Sequence, residues 1–473
     1  MTILLESREV SFAYPQDRRG LQPVSLKVGA GEAVLVGGPS GCGKSTLARC
    51  LTGLIPHLYH GQYGGQVCVN GERTIDTPLW RLAEQVGMVF QNPAAQMLAP
   101  TVADEIVFGL ENLGLLRADI GGRLEEALER FGLVQLRLRS PQTLSGGEQQ
   151  KLALAAITAR RPAALVLDEP LSMLDTTAAL EFVALTQDLA AGGTAVIYCE
   201  HRHEYLRSLR ALQTIILGEN RINTELSRLV PDYPLPGQEP FHLQVCGLTV
   251  TRSGQTILRD LDLDLPGGKT IALVGRNGVG KTTLFRALVG LQKYTGTIEI
   301  QTSGMAETPQ LGMVFQNPDL QLFNASVREE ILYRQDEPDG HLYEWVLSAL
   351  GLEKYKNTPP LLLSEGEKRR VALATILMRR PRHGLLLDEP ALGQDEAHKA
   401  ILLRILRAYA GAGYLVVYST HDLELAAQAD HLVLLGPEGI AVQGRSADIM
   451  QMEGAWQKLG FVLPEWVRIK CSG

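Results

Sequence analysis

The sequence has no cysteine pattern that points to a metal centre or to a disulfide framework. Its six cysteines are scattered along 473 residues, and no Cys-x-x-Cys pair occurs among them. Structural zinc sites and iron–sulfur clusters bring their cysteines in closely spaced groups, and disulfide-stapled domains are short and rich in cysteine. The sequence therefore argues against all three, and free thiols fit a protein of the reducing cytosol.

Long hydrophobic runs and a surplus of positive charge are also missing. No apolar run approaches the roughly eighteen residues that span a bilayer, and the charged residues Glu6, Arg8 and Glu9 so soon after Met1 do not fit a signal peptide. The net charge is −7, whereas a nucleic-acid-binding protein carries a basic surplus or stripe. We therefore expect no nucleic-acid partner, and any membrane role must come through separate subunits.

A duplicated series of motifs is what the sequence does contain. The pattern Gly, four residues, Gly-Lys-Ser/Thr occurs at 38–45 and again at 275–282, each time between a short apolar run and an amphipathic stretch. This strand–loop–helix context defines a phosphate-binding loop, whose backbone N–H groups and helix N-terminus surround the phosphates of ATP. The residues predicted to bind ATP in these loops are Gly38, Pro39, Ser40, Gly41, Cys42, Gly43, Lys44, Ser45 and Thr46, and Gly275, Arg276, Asn277, Gly278, Val279, Gly280, Lys281, Thr282 and Thr283.

Two carboxylates follow a predicted buried strand in each half. The runs that end in Asp168-Glu169 and in Asp388-Glu389 are apolar without interruption, as expected of strands in a parallel sheet that is covered on both faces. Ligands gather at the carboxyl ends of such strands. We predict that each aspartate binds Mg²⁺ together with a loop hydroxyl, and that each glutamate polarises the attacking water. The metal ligands predicted in this way are Ser45, Asp168, Thr282 and Asp388.

The repeat divides the chain into two nucleotide-binding halves. Lys44 and Lys281 lie 237 residues apart, and Asp168 and Asp388 lie 220 residues apart, so the second half is shorter between these motifs. A proline-rich stretch at 231–240 is the one obvious linker. We predict domains at 1–230 and 241–473, joined by the linker 231–240. Each domain is expected to be α/β with a mainly parallel sheet, because short apolar strands alternate with helical stretches.

A helix start precedes each acidic strand. Leu-Ser-Gly-Gly-Glu at 144–148 and Leu-Ser-Glu-Gly-Glu at 363–367 each open a helical stretch. Taken alone, the serine and the last glutamate form a capping box, which satisfies free N–H groups at a helix N-terminus. The order of the motifs is more specific than any one of them. Each half has a phosphate loop, then Gln91 or Gln316, then this Leu-Ser-x-Gly-Glu signature, then the Asp-Glu pair and a later histidine. In that order the chain resembles, twice over, the nucleotide-binding domains of ATP-binding cassette (ABC) proteins.

The resemblance implies a fold and a mechanism. Each half is expected to be a P-loop NTPase (RecA-like) core with an antiparallel β subdomain and a helical signature subdomain. ABC domains pair head to tail, so each ATP is expected between the phosphate loop of one half and the signature of the other, within one chain. The resemblance assigns adenine stacking to Tyr14, metal contacts to Gln91 and Gln316, catalysis to Glu169, His201, Glu389 and His421, the loop that crosses between the sites to Asp175 and Asp395, and ATP contacts to Ser145, Gly146, Gly147, Ser364 and Gly366.

Two positions depart from the family pattern. Where the first half has Tyr14, the second half has Thr-Arg-Ser at 251–253, which leaves adenine without an aromatic partner there. The second signature carries Glu365 where the first carries Gly146. A carboxylate near the γ-phosphate repels it unless the side chain points away. We predict that both sites hydrolyse ATP, with unequal strength.

A further repeated block narrows the family. Gln-Asn-Pro-x-x-Gln occurs at 91–96 and at 316–321, and it is similar to a block in the ATPases of energy-coupling-factor (ECF) importers. The segments 53–57 and 108–112 add to this resemblance. It implies Mg²⁺-dependent ATP hydrolysis that energises the import of a vitamin or metal ion. It also implies a membrane scaffold subunit docked at the two Gln-Asn-Pro-x-x-Gln segments, a membrane subunit that binds the cargo, and a location on the cytoplasmic face of the membrane.

Other classes of protein also join two cassettes in one chain. Fused ATPases of sugar importers are of similar length, but the repeated block favours energy coupling. Ribosome-acting cassette proteins carry a long charged connector, whereas this chain has a short proline-rich one, and DNA-repair cassette proteins need zinc cysteines or coiled-coil insertions. Another ABC importer and a soluble translation factor stay open as alternatives. The cargo stays open too, between a pyrimidine or thiamine-like vitamin and a divalent metal ion.

Overall fold

The computed structural model describes residues 2–461 except 16, 40, 173, 202, 207–208, 210–211, 219–234, 253 and 304. The chain separates into two compact units, Met1–Asn220 and Arg221–Gly473. The predicted domain end at residue 230 and the first four residues of the predicted linker lie outside the described residues. In the described part, no helix is long and apolar enough to cross a bilayer.

The first unit contains two sheets. Its strands are β1 (Ile3–Tyr14), β2 (Asp17–Gly29), β3 (Ala33–Gly37), β4 (Gln62–Val69), β5 (Glu72–Arg73), β6 (Val86–Val89), β7 (Ala164–Asp168), β8 (Ala195–Cys199) and β9 (Gln213–Ile216). The sheet β2-β1-β4-β5 is antiparallel. The sheet β6-β7-β8-β3-β9 is parallel throughout. Every residue of β3, β6, β7 and β8 is buried. A parallel sheet is covered on both faces, and its strands are therefore unbroken apolar runs in the sequence.

The helices of the first unit fall into two groups. They are α1 (Lys44–Leu51), α2 (Leu54–His57), α3 (Leu79–Gln85), α4 (Val102–Glu111), α5 (Arg117–Arg130), α6 (Gly146–Thr158) and α7 (Thr176–Ala191). Helix α1 packs against β1, β2, β4, β7 and β8 and so lies between the two sheets. Helices α4, α5 and α6 pack on one another as a separate helical subdomain.

The second unit repeats this arrangement. Its strands are β10 (His242–Arg252), β11 (Gln255–Pro266), β12 (Thr270–Val274), β13 (Thr295–Gln301), β14 (Ala306–Glu307), β15 (Leu311–Val314), β16 (Gly384–Leu387), β17 (Leu415–Ser419), β18 (His431–Gly436) and β19 (Gly439–Arg445). The sheet β11-β10-β13-β14 is antiparallel. The sheet β15-β16-β17-β12-β18-β19 is parallel except for its last pair.

The helices of the second unit follow the same order as those of the first. They are α8 (Lys281–Leu288), α9 (Val327–Leu332), α10 (Gly340–Ala349), α11 (Glu365–Arg379), α12 (Glu396–Gly411), α13 (Leu423–Ala427), α14 (Ser446–Met450) and α15 (Glu453–Lys458). Helix α11 packs on α9 and α10, as α6 packs on α4 and α5. The predicted α/β class, with a P-loop core, an antiparallel sheet and a helical subdomain in each half, is confirmed.

The last residues of the predicted linker pack on the second unit. Leu235 lies against the core of that unit, and the backbone N–H of Gln238 donates to the carbonyl of Ala412 at 2.9 Å. Residues 235–240 have no regular secondary structure. They lead directly into the antiparallel sheet through β10.

Candidate functional site

Both phosphate loops lie between a buried central strand and a helix. Gly43 and Gly280, at the start of α1 and α8, have φ values of 104° and 107°, a left-handed conformation that glycine adopts readily. Lys44 Nζ donates to the Gly38 and Pro39 carbonyls at 2.8 and 3.1 Å. Lys281 Nζ likewise donates to its own loop, at 2.7 Å to Gly275 O. Each lysine is therefore held inside its loop, where phosphate oxygens would replace the carbonyls; the predicted residue Ser40 lies outside the described residues.

A hydroxyl and a carboxylate meet at each loop. Ser45 Oγ donates to Asp168 Oδ1 at 2.9 Å, and Thr282 Oγ1 donates to Asp388 Oδ2 at 2.6 Å. The aspartates are buried at the carboxyl ends of the strands, with 5% and 1% of their surface exposed. Because Mg²⁺ takes oxygen ligands and keeps several of its waters, a hydroxyl next to a carboxylate fits this ion. These two pairs would hold Mg²⁺ beside the ATP phosphates.

The two glutamates that follow have an unusual backbone. Glu169 and Glu389 have φ values of 46° and 50°, in the left-handed region that non-glycine residues rarely adopt. Such strain persists where the surrounding structure fixes it, as it often does in active sites. Here the Glu169 N–H donates to Cys199 O at 2.8 Å, and the Glu389 N–H donates to Ser419 Oγ at 2.9 Å.

Each glutamate faces the predicted histidine of its own half. His421 Nε2 lies 2.9 Å from Glu389 Oε1, and His201 Nδ1 lies 3.7 Å from Glu169 Oε1. Burial alone would raise the pKa of both carboxyls, but the histidines and the loop lysines outweigh it and lower the pKa of both. Both glutamates are therefore ionised near neutral pH and able to accept a proton from water.

The two predicted glutamine ligands lie beside the carboxylates of their sites. Gln91 Nε2 donates to Glu169 Oε2 at 2.6 Å, so in this state the amide contacts the catalytic carboxylate and turns its donor, not its carbonyl oxygen, towards the site. Gln316 lines the second site together with Asp388 and Glu389. Metal binding by these two residues stays a prediction.

A cavity of about 290 Å³ surrounds the second phosphate loop. Most of its lining was predicted from sequence: Asn277, Gly278, Gly280, Lys281, Thr282, Thr283, Gln316, Asp388, Glu389 and His421. Arg252 and Ile257 complete it. Ser364 and Gly366 of the same unit are not among the lining residues.

Arg252 occupies the position in the second unit that Tyr14 occupies in the first. Tyr14 pairs with Asp17 at the end of β1, and Arg252 pairs with Gln255 at the end of β10. The Tyr14 hydroxyl lies 3.4 Å from Thr46 Oγ1, at the start of α1, and accepts from Arg49 at 3.1 Å. The tyrosine ring therefore stands beside the phosphate loop, as its predicted adenine contact requires.

The signature serines cap helices. Ser145 and Ser364 each form a capping box, with Glu148 and Glu367 respectively. Gly146 and Gly147 begin α6, and Gly366 lies in the first turn of α11. Helix N-termini of this kind attract anions such as phosphate.

Two acidic caps stand where the crossing loop was predicted. Asp175 and Asp395 cap α7 and α12, and each accepts a backbone N–H at 2.9 Å, from Ala178 and His398 respectively. Both aspartates are buried. Their side chains therefore fix the loop that follows each glutamate predicted to be catalytic.

The residues just before the two histidines differ between the halves, and the sequence motifs did not predict this difference. Ser419 Oγ donates to Asp388 Oδ1 at 2.6 Å, and the equivalent residue in the first half is the buried Cys199. Glu200, fully buried, accepts from the backbone N–H groups of Leu171 and His201 at 3.1 and 2.8 Å. A position-by-position comparison of Cys-Glu-His with Ser-Thr-His would have marked these sites.

The geometry is that of a P-loop ATPase, built twice. The profile of the ABC transporter family matches residues 21–172 and 258–392, and the chain belongs to that family. Its two ABC domains make it an ATP-binding protein and an ATPase.

Similar proteins carry compatible names. The chain is 32% identical to the Bacillus subtilis protein named "Putative HMP/thiamine import ATP-binding protein YkoD", over 98% of this chain and 96% of that protein. It is 34% identical to a Treponema denticola protein named "Putative ABC transporter ATP-binding protein", over 89% of this chain and 93% of that protein.

Solved structures with two cassettes share the fold. The structure titled "RNase-L Inhibitor" matches 96% of this chain and 93% of its own with a TM-score of 0.64 and 20% identity. An archaeal ribosome recycling factor, in complex with a ribosomal stalk protein, matches 96% and 92% with a TM-score of 0.65 and 20% identity. At this identity the likeness shows the fold alone.

Proposed function

We propose that this chain is the ATP-binding and ATP-hydrolysing subunit of an ECF-type importer. It works with Mg²⁺, at the cytoplasmic face of the membrane, together with a membrane scaffold subunit and a membrane subunit that binds the cargo. Each ATP is bound by the phosphate loop of one half and the signature helix of the other half of the same chain. ATP binding and hydrolysis close and open the two halves and so move the membrane subunits.

The observation that carries this proposal is an apolar side chain presented at the same place in each half. In the first half it is Leu98, two residues after the Gln-Asn-Pro-x-x-Gln block, with 75% of its surface exposed. The backbone N–H groups of Leu98 and Ala99 both donate to Glu105 Oε2 at 2.8 Å. Glu105 is a buried residue of α4, so the loop that carries Leu98 is fixed from inside the helical subdomain.

The second half repeats this device with different residues. Phe323 has 64% of its surface exposed, and the N–H groups of Phe323 and Asn324 donate to Glu330 Oε2 at 2.8 and 2.7 Å. Glu330, in α9, is 1% exposed. A buried carboxylate is costly unless it is well bonded. Here such a carboxylate fixes a loop that exposes an apolar side chain to water, and this arrangement supports an apolar partner at that place.

The second glutamine of each block joins this surface to the catalytic site. Gln96 Nε2 donates to Met88 O at 3.0 Å, and Gln321 Nε2 donates to Met313 O at 2.8 Å. Both carbonyls belong to the parallel strands next to those that end in the metal-binding aspartates. A membrane subunit that contacts Leu98 and Phe323 would therefore sense the state of the ATP sites through a short, rigid connection.

The cargo we propose is a pyrimidine or thiamine-like vitamin. The support is the name of the Bacillus subtilis relative, which refers to HMP/thiamine import. A divalent metal ion is the second candidate, and uptake of labelled cargo by cells that carry the chain and its genetic neighbours separates the two.

Co-purification tests the membrane assembly. We would co-express the chain with the hydrophobic subunits of its own operon, purify it from detergent-solubilised membranes and measure the bound subunits. The double variant Leu98→Glu, Phe323→Glu should retain less than about a tenth of them, because burying two carboxylates at an apolar contact is costly. Met305→Glu is the control, since Met305 is 73% exposed and lies between β13 and β14, outside the helical subdomain.

Two outcomes would contradict the proposal. One is full retention of the membrane subunits by the double variant. The other is stable co-purification of the wild-type chain with ribosomes and with no membrane subunit, which would point to a translation factor.

A further inference from the structure

The two signature helices are attached to their catalytic cores in different ways. Helices α6 and α11 begin with the same capping box. The fifth residue after each capping serine is buried, and it is Gln150 in α6 but Arg369 in α11. A glutamine and a guanidinium at one buried position offer very different bonds.

Arg369 reaches two catalytic segments with one nitrogen. Its side chain is 7% exposed, and Nη1 donates to the carbonyl of Gln316 at 2.7 Å and to that of Glu389 at 3.3 Å. Gln316 begins the glutamine block, and Glu389 is the predicted water-activating residue. Helix α11 is thus hydrogen-bonded to the backbone of two segments that line the cavity around the second phosphate loop.

A second hydrogen bond also joins the signature helix to the catalytic core of the second unit. Gln394 Nε2 donates to the carbonyl of Gly366, in the first turn of α11, at 3.0 Å. Gln394 is 5% exposed and directly precedes the capping residue Asp395. The start of the signature helix is therefore joined to the loop that follows Glu389.

Neither bond has a counterpart among the described residues of the first unit. Gln150 is 1% exposed, and its Nε2 has no hydrogen-bond partner in the described part of the chain. Leu174, directly before Asp175, stands where the second unit has Gln394. The Leu174 side chain instead lies beside Gly147 at the start of α6.

The charges around Arg369 explain how the guanidinium is tolerated. Burial lowers the pKa of Arg369, while the nearby carboxylates of Glu365, Glu389 and Asp388 oppose that effect. Glu365 is the acidic residue that replaces glycine in the second signature, four residues before Arg369 on α11. Residues four apart share a helix face, so the irregular signature glutamate faces a positive charge of its own helix.

We propose that Arg369 is a positioning residue for ATP hydrolysis in the second half. It holds Gln316 and Glu389 to helix α11, so that the signature helix and the catalytic glutamate move together. Helix α6 lacks this connection and moves independently of Glu169. The inference depends on the ATPase activity alone and not on the transported cargo or the membrane subunits.

Steady-state ATP hydrolysis by the purified full-length chain tests the positioning role. Arg369→Gln, which installs the residue of the first half, should lower kcat about tenfold and change KM less than about twofold, because the misplaced group acts in the transition state more than in ATP binding. Arg369→Lys should recover kcat to within about threefold, since an ammonium group still reaches one carbonyl. Gln150→Leu is the matched control and should leave both constants within about twofold of wild type.

Amide hydrogen exchange gives a readout that does not need turnover. In Arg369→Gln, exchange at 364–372 and 386–392 should be at least about fivefold faster, because bonds to these segments are lost. Exchange at 145–153 and 166–172 should not change. An unchanged kcat together with unchanged exchange contradicts the proposal. It is also contradicted if kcat falls only in proportion to a loss of folded protein, or if lysine fails to restore it. Loss of the membrane subunits in the Leu98→Glu, Phe323→Glu variant concerns the proposed function and leaves this result intact.

Discussion

The two aspartates predicted to bind Mg²⁺ receive unequal support from their neighbours. Asp388 accepts hydrogen bonds from Thr282 and Ser419, whereas in the described part of the chain Ser45 alone supplies a side-chain hydroxyl to Asp168. Burial raises the pKa of both, and for Asp168 the neighbouring charge of Glu169 helps to raise it to about 7. The first metal site therefore has a carboxyl that is partly protonated at neutral pH in the absence of metal.

This difference predicts how the stability of the metal-free chain depends on pH. Because folding raises the pKa of Asp168 from its ordinary value of 3.8 to about 7, the folded state keeps a proton that the unfolded state loses. The contribution of Asp168 to the free energy of unfolding is thus fully present below pH 4 and is lost as pH rises to about 7. Asp168→Asn should flatten the decline between pH 5 and 7.

Urea unfolding in EDTA at several pH values measures this effect. The difference between wild type and Asp168→Asn should change by a few kcal/mol across the window, at about 1.4 kcal/mol per pH unit. Asp119→Asn, at an exposed residue of α5, is the control. Parallel curves for wild type and Asp168→Asn would show that Asp168 is ionised in the folded chain throughout.

At the scale of single elements, one buried glutamate in each of the helices α4 and α9 fixes the loop that precedes the helix. Glu330→Ala leaves two backbone N–H groups, those of Phe323 and Asn324, without the acceptor that now bonds them. We expect a loss of about 3 kcal/mol in the free energy of unfolding and faster proteolysis of the loop at 321–326, because two hydrogen bonds to a charged acceptor are lost.

The adjacent residue supplies the control for that measurement. Glu329 is exposed in the same first turn of α9, and Glu329→Ala should cost less than about 1 kcal/mol. Equal effects of the two substitutions would mean that the loop is held by something other than Glu330.

These elements also mark what sequence could and could not predict. The phosphate loops, the Asp-Glu strands and the capped signature helices depend on local patterns, and the structure forms each of them where its motif stands. Glu330 bonds to an irregular loop, and Arg369 bonds to segments that are far from it in sequence. A pattern indicates that such a residue is polar on an apolar face, but not which backbone group it reaches. Comparing the halves position by position is the one signal that would have found Arg369 and Ser419.

On the scale of the whole molecule, the duplication predicts that one chain supplies both ATP sites. Glu169→Gln, Glu389→Gln should bind ATP without hydrolysing it, because the loops and metal ligands are kept while the water-activating carboxylates are lost. With ATP and Mg²⁺ this variant should run as a compact monomer in size-exclusion chromatography with light scattering. An ATP-dependent dimer of chains would place the pairing between molecules instead.

We propose that both halves hydrolyse ATP and that both are needed to drive import. Each half has its own lysine, metal-binding pair, glutamate and histidine, so neither site lacks the groups that carry the charge chemistry. We expect the missing aromatic partner for adenine in the second half and the signature glutamate Glu365 to alter the strength of the sites without removing these groups.

ATP-driven uptake of labelled vitamin into vesicles that contain the chain and its membrane subunits tests this claim most directly. The variants Lys44→Ala and Lys281→Ala should each lower both uptake and ATP hydrolysis at least about tenfold, because each removes a cation that contacts the transferred phosphate. Near-normal uptake and hydrolysis in either variant would show that its site is regulatory and would contradict the account.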